Sequence, residues 1–330
     1  MRAVELLDAH RLEVVELPDP EPGEGEVVVR VDGCGICGSD LSSYKVGLFT
    51  DAVPGHEFSG TVEALGAGVS GWQTGDPTVV DPKMPCGACE DCRAGAAWRC
   101  SVALTAGLGF ARNGGFAERV LAPAHLLHRL PEQLSLRDAC LVEPLSIAIH
   151  GVERTRLDGG AAVVIGLGPI GLFTVAVLRA RGVEPIICVD PVPDRRRLAL
   201  DLGAATSLEE ATEVRRTVAP APNVFECSGY APVLHTAADL VAPGGTMVML
   251  GVPFGEAQVA PLMWVTREIT IVGSIASSEQ DFRDSIAMLA ADPSLARIVT
   301  RRIGLADVPA SFEELIHPTE GGKVVVDPSL

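Results

Sequence analysis

Four of the nine cysteines fall in one short stretch, Cys86-Gly87-Ala88-Cys89-Glu90-Asp91-Cys92 closed by Cys100, at C-x2-C-x2-C-x7-C spacing. Thiolates so placed can turn toward one Zn2+ at about 2.3 Å, and the fourth completes a tetrahedron with no position left for a substrate. Such a zinc holds a loop. The competing reading, unlinked thiols or a disulfide pair, gives four clustered cysteines in a reducing compartment little physical reason to be there. A second set is spread more widely: Cys37 within Gly35-Ile36-Cys37-Gly38-Ser39-Asp40, His56-Glu57 nineteen residues later, and Glu143. One thiolate, one imidazole and one or two carboxylates make an open zinc site with three protein ligands and a replaceable water. The third signal is Gly166-Leu167-Gly168-Pro169-Ile170-Gly171, a G-x-G-x-x-G.

These residues must be held by particular elements. The glycine motif follows the apolar run Ala161–Ile165, opens a helical stretch and precedes a second strand ending in Asp190. That is the context a dinucleotide site needs. Gly166 permits the tight turn, Gly168 lets backbone N–H groups approach a pyrophosphate at the helix N-terminus, and Gly171 allows close packing of helix on strand. Asp190 is placed to accept hydrogen bonds from both ribose hydroxyls and to repel a 2′-phosphate, which favours NAD over NADP. Arg195, Arg196 and Arg197 pull the other way, and the reading preferred for them is a solvated first helical turn beside the adenine.

From Val14 to about Val120 the chain reads as short strands cut by Gly and Pro: Val27–Val31, Thr61–Leu65, Thr78–Asp81 and Phe116–Leu121. Ala139–Glu153 has helical apolar spacing. Strands Ala161–Ile165, Pro185–Val189, Asn223–Glu226, Thr246–Gly251 and Thr270–Gly273 then alternate with helices Leu172–Arg181, Arg195–Leu202, Ala231–Val241 and Asp281–Ala291, which predicts a parallel sheet. The tail from Ile303 to Leu330 reads as a return to short strands. The expected class is α/β, with a barrel-like β domain interrupted by a nucleotide-binding domain. The run Ile269–Ser274 is apolar, β-prone and placed at that sheet's edge, which invites a second subunit and predicts a homodimer or homotetramer.

A net charge of -17 argues against nucleic acid or an anionic membrane as partner, and 47% hydrophobic content over 330 residues suits two cores. Small molecules are the expected partners. No charged leader with an apolar stretch opens the sequence and no apolar run approaches membrane-spanning length, so a cytoplasmic protein is expected.

From end to end the chain resembles the zinc-dependent medium-chain dehydrogenase/reductase family, the alcohol, sorbitol and threonine dehydrogenases. The matching segments are GICGSD at Gly35–Asp40, GHEFSGTVEALG at Gly55–Gly66, the four-cysteine loop, NGGFAERV at Asn113–Val120, VEPLSIAIHG at Val142–Gly151, GLGPIG, ECSG at Glu226–Gly229 and GGKVVVDP at Gly321–Pro328. The resemblance implies a GroES-like catalytic domain at 1–147 and 276–330, a Rossmann domain at 148–275, NAD, and two zincs per chain. By the same resemblance Cys37 and His56 match catalytic zinc ligands, Glu143 the third ligand position, and Glu57 a carboxylate in or beside the first shell. It leaves open which carboxylate binds directly. Ser39 matches the hydroxyl that takes the alcohol's proton, Asp40 would fix His56, and Cys227-Ser228-Gly229 would lie by the nicotinamide. Relatives often continue Asp-x-His as a proton outlet, whereas this chain reads Asp40-Leu41-Ser42, so the exit falls to the cofactor ribose, Ser42, Tyr44, water or Glu57.

Within that family the polar neighbours suit a polyol or an aminocyclitol of the 2-deoxy-scyllo-inosamine type, with a simple secondary alcohol, butanediol or threonine as the alternative. A reading from another class is a zinc-stapled binding or sensor protein without turnover, and zinc stoichiometry separates the two.

Overall fold

The computed structural model describes residues 1–157, 159–253, 255–316 and 321–330, and the chain divides into two compact units. One comprises Met1–Glu143 with most of the chain from Ser278 onward, and the other is built on Pro144–Ser277.

The first unit is a β structure around a seven-stranded sheet. Its order is Val299–Ile303, Lys323–Val326, Glu26–Gly35, Glu57–Leu65, Pro77–Val80, Leu127–Arg129, with Arg119–Pro123 also paired to Glu26–Gly35. Strand Glu26–Gly35 is the spine: Val27, Val29 and Val31, spaced at the two-residue period of a strand, are buried in a core shared with Phe58, Phe116 and Phe312. Registers matter here. Gly35 lies opposite Glu57 on one side and opposite Val325 on the other, so three distant stretches meet at one row. A two-stranded hairpin, Arg2–Asp8 with Arg11–Glu16, covers the unit.

The second unit is a six-stranded, wholly parallel sheet in the order Thr206–Leu208, Ile186–Val189, Ala162–Ile165, Ala221–Glu226, Val241–Met249, Thr270–Gly273. Strands buried on both faces read as continuous apolar runs, which is how Ala162–Ile165 and Ile186–Val189 are written. The strand order reverses between Ala162–Ile165 and Ala221–Glu226, and such a switch point is where open α/β sheets bind ligands. The class is α/β, a GroES-like unit with a Rossmann-type unit.

Two expectations need correction. The tail is not strands alone, since Val308–Ile316 is a helix whose buried Val308, Ser311 and Phe312 repeat at helical spacing. His317, Pro318, Thr319 and Glu320 lie outside the described residues. The strand expected at Phe116–Leu121 runs instead over Arg119–Pro123, because Phe116 and Ala117 are engaged by the hairpin strand, Val4 N–H to Phe116 C=O and Ala3 opposite Ala117.

Candidate active site

Cys37 caps the N-terminus of helix Gly38–Val46, and Asp40, three residues on, reaches back so that its Oδ2 accepts the Cys37 N–H at 2.9 Å. A carboxylate at that helical position satisfies an otherwise orphaned donor and favours the positive end of the helix. The other Asp40 oxygen stands 3.4 Å from His56 Nδ1. Asp40 therefore contacts both expected ligands at once. It leaves His56 Nε2 as the nitrogen for a metal, as expected when a carboxylate orients a metal-binding imidazole. The buried imidazole is lowered in pKa by desolvation, but Asp40 and Cys37 outweigh this and hold it above its ordinary value.

Glu57 follows at the head of its strand. Cys37, His56 and Glu57 each offer a ligand atom lying within 4.8 Å of the other two. Glu143, the second residue of helix Val142–Val152, stands outside that group, though His56 and Glu57 act on it electrostatically. Burial pushes its carboxyl up to about 7, Glu57 adds to the rise, and His56, Lys83 and Lys323 oppose it. The Ser39 hydroxyl is buried and has no hydrogen-bond partner among the described residues. An unanswered hydroxyl two residues from Cys37 fits a site that receives a polar guest.

Three residues at this site escaped sequence reading. Lys323 is buried and forms an ion pair with Glu57 while its Nζ donates to the Ile36 C=O at 2.8 Å. The signal was present as a lysine heading the apolar strand Lys-Val-Val-Val, where a charge needs a reason. Gly35 is required beside it, because a Cβ there would come 2.5 Å from Lys323 Cε. Phe110 stacks on His56 at 4.8 Å between centroids, and Phe49 meets Phe110 edge-on at 5.5 Å. Neither phenylalanine sits in a pattern that points to the site.

The four loop cysteines come together as expected, all Sγ atoms within 4.8 Å of one another. Backbone N–H groups orient them: Cys86 N–H to Cys100 Sγ at 3.4 Å, Cys89 N–H to Cys86 Sγ at 3.4 Å and Cys92 N–H to Cys89 Sγ at 3.5 Å. Hydrogen bonds from Ala88 and Cys89 pull the Cys86 thiol down to about 6. A converging thiolate set with N–H donors suits a tetrahedral soft metal.

In the second unit Gly166 takes φ 87 and Pro169 opens helix Pro169–Ala180, with Gly168 as its N-cap. A Cβ on Gly166 would come 2.6 Å from the Ser228 Cα, so only glycine lets the two turns touch. Ile170 C=O accepts the Thr174 hydroxyl at 2.8 Å, locking the first turn. Asp190 directly follows strand Ile186–Val189, its Oδ2 accepting Leu167 N–H at 2.7 Å and its Oδ1 accepting Val192 N–H at 2.8 Å, while Arg195 Nη1 lies 3.5 Å away. The carboxylate thus braces the glycine turn.

The alcohol dehydrogenase GroES-like domain family matches residues 23–132, and the glucose dehydrogenase C-terminus family matches residues 137–327. D-altritol 5-dehydrogenase of Agrobacterium fabrum is 33% identical over 94% of this chain and 95% of its own length. A zinc-binding dehydrogenase of Sinorhizobium meliloti bound to NADP superposes with a TM-score of 0.90 at 30% identity, covering 99% of both chains. The 2R,3R-butanediol dehydrogenase of Bacillus subtilis gives 0.89 at 30% identity, again over 99% of both.

Proposed function

The chain belongs to the zinc-dependent medium-chain dehydrogenase/reductase family, and from that premise we propose that it oxidises a secondary hydroxyl of a polyol or aminocyclitol with NAD. The reading rests on one observation, the convergence of Cys37, His56 and Glu57 within 4.8 Å, with the unpartnered Ser39 hydroxyl two residues from Cys37. Bound there, Zn2+ supplies Lewis acidity that lowers the pKa of an alcohol. The chain's own groups do the rest. Cys37, His56 and Glu57 would hold the metal, Asp40 fixes His56, and Ser39 takes the hydroxyl proton while passing its own on toward water. Lys323 holds Glu57 in place, and Glu143, with its raised pKa, stands where a substrate's second hydroxyl or ammonium could be met. Phe110 and Phe49 keep the His56 face dry.

A second zinc belongs to Cys86, Cys89, Cys92 and Cys100, giving two per chain. Gly166, Gly168, Pro169, Ile170, Gly171, Asp190, Arg195 and Ser228 would bind the dinucleotide, with Asp190 favouring NAD. Nine unpaired cysteines suit a reducing cytoplasm, and no described helix is long and apolar enough to cross a membrane. Strand Thr270–Gly273 ends its sheet, and Leu262 and Val265 beside it in sequence are 71% and 75% exposed, which supports pairing with a second copy.

The sugar-alcohol relative supports the polyol class, and the butanediol relative sets the comparison arm. The test follows NADH formation at 340 nm from protein carrying its measured zinc, across polyols, aminocyclitols, secondary alcohols and threonine. NAD-linked turnover on a polyol or aminocyclitol, lost in Cys37→Ser, is the expected result. Turnover confined to butanediol or threonine would overturn the substrate class, and turnover surviving in Cys37→Ser would overturn the metal site.

A further inference from the structure

Glu226 ends the strand beside the switch point and is fully buried, at 0% exposure. A buried carboxylate is costly unless donors surround it. Here three donors converge on one oxygen: Ser228 N–H at 2.7 Å, Gly229 N–H at 3.1 Å and the Ser228 hydroxyl all give to Oε1. Ser228 Oγ in turn accepts the Tyr230 N–H at 3.0 Å. The side chain thus folds the next four residues into a closed turn.

That turn touches the glycine motif directly. Cys227 N–H donates to Ile165 C=O at 2.8 Å, immediately before Gly166, and Ser228 is the residue a Cβ on Gly166 would strike. On the other side Leu250 N–H and Gly251 N–H give to the Glu226 C=O at 2.8 and 2.9 Å. Gly251 is held so close that a Cβ there would come 2.8 Å from Glu226 Oε2. Both ends of the carboxylate are therefore confined, and among the described residues no group hydrogen-bonds Oε2. A carboxylate kept in such a place, whose hydrogen bonds among the described residues all come from the turn it organises, has the turn as its physical purpose.

We propose that Glu226 is a positioning residue for the dinucleotide site: its carboxylate seats the Ser228–Gly229 turn against Gly166, and the cofactor binds weakly when that turn is released. The inference rests on the dinucleotide reading of the glycine motif. Glu226→Gln keeps the accepting oxygen, whereas Glu226→Ala removes it.

The test measures NADH binding by fluorescence, KM for NAD against kcat, and hydrogen exchange of the 226–231 segment in cofactor-free protein. For Glu226→Ala the Kd and KM rise by at least about tenfold, the size expected when bonds to a charged acceptor are lost, while kcat falls less. Exchange at Ser228 and Gly229 quickens. Glu226→Gln stays within about 1.5-fold of the wild type on each measure. If Glu226→Ala does not fold, Ser228→Ala decides, with an expected rise of about threefold in Kd and faster exchange of the same segment. A folded Glu226→Ala, or failing that Ser228→Ala, with wild-type Kd and exchange overturns the inference, as does a Gln variant as weak as Ala. Failure of the wild-type chain to bind either NADH or NADPH would instead overturn the dinucleotide reading, and this inference with it.

Discussion

Lys323 and Glu57 form an ion pair in which each side chain is only 1% exposed, and the lysine reaches past Gly35 to do so. The pair joins the head of one strand to the head of another across the middle of the sheet. Breaking a buried pair leaves an uncompensated charge, which costs about 3–5 kcal/mol. Lys323→Met is expected to lower the unfolding free energy by about that much in denaturant titration. Glu57→Gln/Lys323→Met, which removes both charges, is expected to recover part of the loss. A double variant less stable than Lys323→Met would refute the pairing.

Asp40 should matter through its neighbours. Asp40→Asn keeps the shape but weakens the grip on Cys37 N–H and His56, and partners of this kind are worth about 10–100-fold in metal affinity or activity. Zinc competition with a chelator reads the first and initial rates the second. An unchanged value for both would show that His56 is oriented by something else.

On the proposed dinucleotide function, Asp190 has two duties. Asp190→Ser is expected to raise Kd for both dinucleotides, because Leu167 and Val192 lose their acceptor, and to narrow the preference for NADH over NADPH by about tenfold. Titration with both cofactors gives the ratio. A preference that stays put would assign the discrimination to Arg195 instead.

His128 predicts an acid-side loss of stability. Its ring packs on Phe282 at 4.8 Å and burial keeps its pKa below the ordinary 6.5; Asp81 and Glu279 oppose the shift while Lys83 and Arg283 add to it. A folded pKa that is depressed means the unfolded chain takes the proton first. The contribution is present above about 6.5 and fades as pH falls through the folded pKa. Between about pH 7.5 and about pH 5.5, His128→Phe should lose less stability than the wild type. Equal losses would locate the acid sensitivity elsewhere.

Much of this was legible in the residues. The cysteine spacing and G-x-G-x-x-G name local geometry, since ligands or turns a few residues apart must face one centre: the four Sγ atoms converge and the glycine motif opens a helix. The alternating texture after Ala161 likewise reported a parallel sheet. What was hidden is non-local. Lys323 meets Glu57 only through register, Phe110 meets His56 only through loop packing, and Glu226 shows its three donors only once the chain has turned. Helix Val308–Ile316 was obscured by Pro309 near its start and by the strands on either side.

The strand Lys323–Val326 also sets an order of events during synthesis. Ile36 leaves the ribosome 287 residues before the lysine that will donate to its carbonyl. Until then the nascent sheet lacks one of the neighbours of strand Glu26–Gly35, and Glu57 has no ammonium beside it. All six strands of the unit built on Pro144–Ser277 are made before that, so the later sheet in sequence can be first to form while the earlier one waits. A stop codon placed shortly before Lys323 would therefore leave the unit that carries Cys37, His56 and Glu57 without that strand, even though all three residues had been made.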